Sequence, residues 1–114
     1  MHIRLEDVAE VREEGYPLVM KKVINRGDHS EHLSITWVKI WGHHKKMVCN
    51  VSDRAYYIIE GEGEFQVGDG EPFEVAATDF VFIPKGEPYV FDGDMTYLVM
   101  NGPAFVPGSD QVLE

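Results

Sequence analysis

The chain predicts an all-β domain, a barrel or sandwich, on three observations. Short runs rich in β-branched and aromatic residues recur from residue 17 to residue 101. Glycine- and aspartate-bearing turns separate them at short intervals, and only one brief segment near the N-terminus has helical spacing. At 114 residues there is material for one hydrophobic core, so residues 1–114 read as a single domain. The core barrel is expected over about 17–101, with 102–114 as a C-terminal tail.

The elements follow in order. Leu5, Val8, Ala9 and Val11 share one side of a short helical turn, which Tyr16-Pro17 ends because a residue before proline is pushed out of the helical region. Strand-like runs then fall at 17–24, 33–41, 45–51, 55–60, 64–68, 73–76, 80–84, 88–91 and 96–101. Asn25-Arg26-Gly27-Asp28, Gly61-Glu62-Gly63, Gly68-Asp69-Gly70, Lys85-Gly86 and Asp92-Gly93-Asp94 carry turn chemistry between them. Residues 102–114 are expected to lie over the barrel or hang free.

Composition narrows the partners. A formal net charge of -10 disfavours nucleic acid and anionic membrane surfaces, both of which need clustered Lys and Arg. No apolar run approaches the ~20 residues that span a bilayer, and the N-terminus lacks the apolar stretch of a signal peptide. Cys49 is the single cysteine, so no intrachain disulfide forms and the expected compartment is the cytoplasm.

The spacing of particular residues is similar to that of the cupins, small jelly-roll β-barrels that usually hold a divalent metal in the barrel mouth. The first cupin motif has a glycine, two histidines separated by one residue, a glutamate, and a second glycine. Here Gly42 and Gly61 fit its ends, and Arg54 stands in the place of the glutamate. The histidine pair falls on Val48 and Asn50, or on Met47 and Cys49 if the strand slips by one. The second motif is matched by Thr78-Asp79, Pro84 and Gly86, with Tyr89 in the place of its histidine. The resemblance covers residues 33 to 101. The stretches IEGEGE and MTYLVMNGP further resemble the ectoine synthase branch, whose metal-binding glutamate and histidine would be Arg54 and Tyr89 here.

The resemblance thus implies the fold and withholds its usual chemistry. Arginine stays protonated and offers no lone pair to a metal, and its charge would repel a cation in a poorly solvated barrel. No metal site and no cofactor are expected. The loop residues Asp28, His29, Glu31 and His32 read as a solvated turn, or as a flap over the barrel mouth. In His43-His44-Lys45-Lys46, alternation puts one His and one Lys on each face of a strand. Either His43 with Lys45 or His44 with Lys46 then faces the lumen, unless the segment is an exposed strand end.

Arg54, Tyr56, Tyr89, Lys45 and Trp37 are the candidate ligand-binding residues, a cationic pocket suited to a carboxylate or phosphate. Against this, Arg54 has many acids to pair with, Asp53 and Glu60 among them, and the tyrosines suit core packing. Two function classes follow from the resemblance. One is a metal-free binding protein for a small anionic metabolite. The other is a metal-independent isomerase, epimerase, dehydratase or cyclase acting on a sugar or small organic acid. In the second, His43 or His44 is the base, Tyr56 or Tyr89 the acid, and Arg54 the anchor. The binding class is preferred because no acid–base pair is evident on adjacent strands. Cupins also commonly pair, so a homodimer is expected, with LSITWVKIW as its surface.

Overall fold

A computed structural model describes residues 1–114 as one antiparallel jelly roll. Its strands are β1 (Glu10–Arg12), β2 (Leu18–Ile24), β3 (Ser34–Cys49), β4 (Asp53–Val67), β5 (Phe73–Ala76), β6 (Phe80–Ile83), β7 (Tyr89–Gly102) and β8 (Asp110–Val112). They run in the order β1-β2-β3-β7-β4-β5, with β6 on β4 and β8 on β3. The helical turn at the N-terminus is a single 3-10 turn, Leu5–Asp7. Glu10 and Val11, expected to lie in that turn, instead pair with Lys21 and Met20 of β2, because ladder bonds outweigh a weak helical preference. No helix is long and apolar enough to cross a membrane.

The main departure from the sequence expectation concerns strand length. Runs 33–41 and 45–51 belong to one strand, β3; runs 55–60 and 64–68 to β4; runs 88–91 and 96–101 to β7. The glycines between them are bends inside strands, not loops. Gly42, Gly93 and Gly63 lie side by side across β3, β7 and β4. A Cβ on Gly63 would sit 2.6 Å from the Asp92 carbonyl oxygen, and one on Gly93 3.0 Å from that of Glu62. The row is a crease along which the sheet folds over itself, and only glycine lets the backbones approach so closely.

Two β-bulges then decide which residues face inward. In β4 one extra residue lies between Ile58, opposite Tyr97, and Glu60, opposite Thr96. Inward positions therefore switch from even (Arg54, Tyr56, Ile58) to odd (Phe65), while Glu60, Glu62 and Glu64 stay in water. In β3 a second bulge separates His44, opposite Phe91, from Met47, opposite Tyr89. Both His44 and Met47 are consequently buried. The buried cluster runs from Leu18, Val38 and Ile40 through Tyr56, Ile58, Phe65, Tyr89, Phe91 and Tyr97. Its aromatic rings pack edge-to-face and stacked, as between Phe65 and Phe91 at 4.3 Å. The C-terminal residues return as β8 along Met47–Cys49, and the Leu113 N–H donates to the Lys46 carbonyl at 2.8 Å.

Candidate functional site

Strands β2, β3, β4 and β7 surround a cavity of about 380 Å³ that opens beside β1 and β8. Leu18, Met20, Val38, Met47 and Val99 supply its apolar wall, and Ser34, Thr36 and Asn101 add small polar groups. Its chemistry gathers around His44, Arg54, Tyr56 and Tyr89, which all line it and are almost fully buried.

Arg54 is the hub. Its Nε donates to Asn101 Oδ1 at 3.0 Å, and its two terminal nitrogens donate to Tyr89 Oη and Asp110 Oδ1, each at 2.8 Å. The Tyr89 and Tyr56 hydroxyls lie 2.7 Å apart, so a hydrogen-bonded chain runs from Asp110 through Arg54 and Tyr89 to Tyr56. Burial works against the charge on Arg54, but Tyr89, Tyr56 and Asp110 outweigh it and hold the guanidinium protonated. Burial raises Tyr89 above the ordinary tyrosine range, with Arg54 pulling the other way, and raises Tyr56 further still. Both hydroxyls therefore remain proton donors at neutral pH.

His44 has the opposite character. Its ring stacks on Phe91 at 4.4 Å, and Nδ1 lies 3.0 Å from the Lys45 carbonyl oxygen. A carbonyl oxygen only accepts, so Nδ1 carries the proton and Nε2 holds the lone pair. Nε2 has no partner in the protein; the one sealed-off side-chain polar atom without a partner is Arg26 Nε, so Nε2 opens onto the cavity. Burial, assisted by Arg54, lowers the His44 pKa to about 4 against the pull of the Lys45 carbonyl. The imidazole is neutral at neutral pH, with its lone pair available.

The other sequence candidates lie elsewhere. His43 is on the outer face, where Nδ1 meets Asp92 at 2.8 Å and Nε2 meets Glu114 at 2.9 Å. Lys45 places Nζ over the Tyr16 ring at 5.3 Å, and neither it nor Lys46 lines the cavity. Simple alternation paired His44 with Lys46; the bulge after His44 cancels that pairing and brings in Met47. Trp37 faces outward beneath Lys21, whose Nζ lies 5.9 Å from the ring. The loop histidines serve no pocket: His29 Nδ1 accepts the Asn25 N–H within a local turn, and His32 is exposed.

Sequence reasoning missed Asp110, Asn101, Glu13, Arg12 and Lys22. Arg12, Glu13 and Lys22 rim the mouth. Burial and then Asp110 raise the Glu13 pKa, while Lys22 lowers it. For Asp110 the only signal was a charge within an otherwise strand-compatible DQVL segment, which does not tell where a terminal strand docks.

The residues present do not suit the metal that cupin barrels usually hold. No group of three or more His, Cys, Asp or Glu side chains converges anywhere to hold an ion. At the family's ligand positions stand Met47, a buried Cys49, a cationic Arg54 and a protonated Tyr89, a set without a histidine or a carboxylate.

Residues 50–101 match the cupin domain family profile. No curated protein matches the chain. Among solved structures, a variant of Streptomyces Pac13 with uridine superposes with a TM-score of 0.86 at 18% identity, over 100% of this chain and 90% of that one. The polyketide cyclase RemF from Streptomyces resistomycificus gives 0.75 at 22% identity, covering 96% and 88%. Ectoine synthase from P. lautus gives 0.81 at 16% identity, covering 100% and 90%. At these identities the structural likeness is one of fold. Together with the profile match over residues 50–101, it shows that this creased eight-stranded roll has the cupin fold.

Proposed function

We propose that this cupin-fold protein is a metal-independent acid–base enzyme acting on a small hydroxylated carbonyl compound, in the class of dehydratases, isomerases and cyclases. The observation that carries the reading is the His44 lone pair facing the cavity that the Tyr56–Tyr89 hydroxyl pair also lines. His44 Nε2 would take the proton from the carbon next to the substrate carbonyl, whose electron pair moves toward the carbonyl. A tyrosine hydroxyl would then supply a proton to the departing β-hydroxyl, releasing water, or to the enolate oxygen for isomerisation. Arg54 stabilises the tyrosine oxygen as its proton leaves. The reading draws support from Streptomyces Pac13, a nucleoside dehydratase of the same fold whose Tyr→Phe and His→Gln variants have been seen with uridine.

The test is incubation in deuterated water with β-hydroxycarbonyl derivatives of sugars and nucleosides. Mass spectrometry reads both loss of water and deuterium gained at the α-carbon. Turnover that disappears in His44→Gln, and falls by about 10²–10⁴-fold in Tyr89→Phe, supports the enzyme. No exchange with any compound, despite saturable binding, supports a binding module instead.

Arg12 and Lys22 at the mouth favour that second reading, a protein holding a small anionic metabolite. They suit a phosphate or carboxylate near the opening, above the neutral floor made by the tyrosines. A thermal-shift screen with sugar phosphates, comparing wild type with Arg12→Ala and Lys22→Ala, reads this directly.

A homodimer belongs to the same proposal, through the outer face of the sheet. Phe80, Tyr57, Leu98 and Trp37 form one apolar row across four strands, and Phe82, Ala55, Met100 and Ile35 form the next. Phe80 is 72% and Phe82 62% exposed, unusual for residues so apolar. The neighbouring row has Lys39 at one side and Glu60 at the other. A two-fold axis parallel to the strands sets Lys39 of one copy over Glu60 of the other, so the face is complementary to itself.

A further inference from the structure

We infer that Asp110 determines ligand specificity as an internal carboxylate, filling the anion site that Arg54 would otherwise present to the cavity. The inference rests on the reading of this cavity as the ligand site. It adds what that site refuses, and therefore which end of a ligand enters first.

Arg54 is the one cation buried in the cavity, 5% exposed at its side chain, and Asp110 meets it at 2.8 Å and 3.4 Å through both carboxylate oxygens. That is the fork geometry with which arginine takes a free carboxylate. Every guanidinium nitrogen is then engaged, with Asn101 and Tyr89 holding the other positions. An incoming carboxylate or phosphate finds no unengaged guanidinium nitrogen there, and the negative field of Asp110, reinforced by Glu13, opposes it. Lys22 and Arg12, whose guanidinium lies 5.8 Å from the Trp41 ring centre, are the cations at the rim. A ligand that carries an anionic group is therefore oriented with that group outward and its neutral, hydroxyl-bearing end against Tyr56, Tyr89 and His44.

Asp110 can do this because of how it is delivered. Of the residues near it in sequence, Phe105 is the other one that lines the cavity. β8 docks on the edge of β3 at Met47–Cys49, and beyond it the Leu113 N–H bonds the Lys46 carbonyl while Glu114 accepts the Lys46 N–H. The carboxylate is thus held by a strand with few other tasks.

Truncating Asp110 should leave beside Arg54 an open anion site the size of one carboxylate, which formate fills. The experiment measures Tm against sodium formate, with sodium chloride at equal ionic strength as the control, for wild type, Asp110→Ala and Asp110→Glu. The expected result is a saturable formate-dependent rise in Tm for Asp110→Ala only, abolished in the double variant Asp110→Ala/Arg54→Met. Should Asp110→Ala fail to fold, Asp110→Ser makes the same vacancy with a polar residue, and line broadening of ¹³C-formate reads binding directly. Equal formate binding by wild type, or none by either truncated variant, overturns the inference. The readout is binding without turnover, so it does not depend on the acid–base reading. A failed acid–base reading and a failed specificity reading are therefore told apart.

Discussion

Arg54 donates to the Tyr89 hydroxyl at 2.8 Å, and both side chains are almost fully buried. Removing that hydroxyl should cost more than one hydrogen bond. Tyr89→Phe leaves an Arg54 N–H without its near acceptor, a penalty of about 1–3 kcal/mol for a buried donor. Tyr56→Phe leaves Arg54 fully bonded and should cost less. Urea unfolding of both variants checks the order; equal losses would mean that the Arg54–Tyr89 bond is not a separate contribution.

The adjacent histidines should titrate in opposite directions. His44 is held neutral, with its pKa lowered to about 4 chiefly by burial, so its contribution to stability is present above the unfolded histidine value and is lost as pH falls from ~6.5 toward 4. His43 is raised, first by its bond to Glu114 and then by that to Asp92. Its contribution is present below the unfolded value and is lost as pH rises through the raised one. NMR titration of the ring protons should show one histidine still neutral near pH 5 and its neighbour losing its proton at a higher pH than a free imidazole. His43→Gln should flatten only the neutral-to-alkaline limb of the stability profile. Proton uptake by His44 near the free value of ~6.5 would show that burial does not depress this ring.

Much of this architecture was legible in the sequence, and the failures have a common cause. Runs such as 73–76 and 80–84 match β5 and β6 nearly residue for residue, because a strand half in water writes its alternation locally. Arg54, Tyr56 and Tyr89 were legible as lumen candidates from motif spacing. Parity beyond a bulge was not: the extra residues after Ile58 and after His44 leave no mark in composition, and each reassigns every inward side chain that follows. Glycines at 61, 63 and 93 looked like turns because a bend within a strand and a loop need the same backbone freedom. Asp110 lies 56 residues from Arg54, and no local pattern encodes a partner so distant.

The crease makes its own prediction. Gly61 has φ +87°, and a Cβ there would meet the Asp94 carbonyl oxygen at 2.2 Å, with the Met95 Cα at 2.6 Å. Backbone on the neighbouring strand cannot swing away as a side chain would. Gly61→Ala should therefore be strongly destabilising, by more than the ~1 kcal/mol of an ordinary strained alanine. Gly108, also at positive φ but with nothing within 4 Å, should show the conformational cost alone. Comparing the Tm of the two alanine variants separates crowding from backbone strain; equal losses would argue that the crease is soft.

The apolar outer face should govern assembly. Phe80 pairs across the ladder with Tyr57, and their rings sit 4.7 Å apart, so the exposed aromatic is a fixed platform and not a loose side chain. Two such faces packed together would withdraw Phe80 and Phe82 from water, each worth about 1.5–3 kcal/mol if fully buried. Phe80→Ser with Phe82→Ser should then convert a dimer to a monomer while leaving the far-UV circular dichroism unchanged. Lys39→Glu should weaken the dimer by setting like charges over Glu60, and Glu60→Lys in the same chain should restore it. Sedimentation velocity over a range of concentrations reads all of these variants. A wild-type monomer at every concentration, or a dimer indifferent to both phenylalanines, would remove this face as the contact.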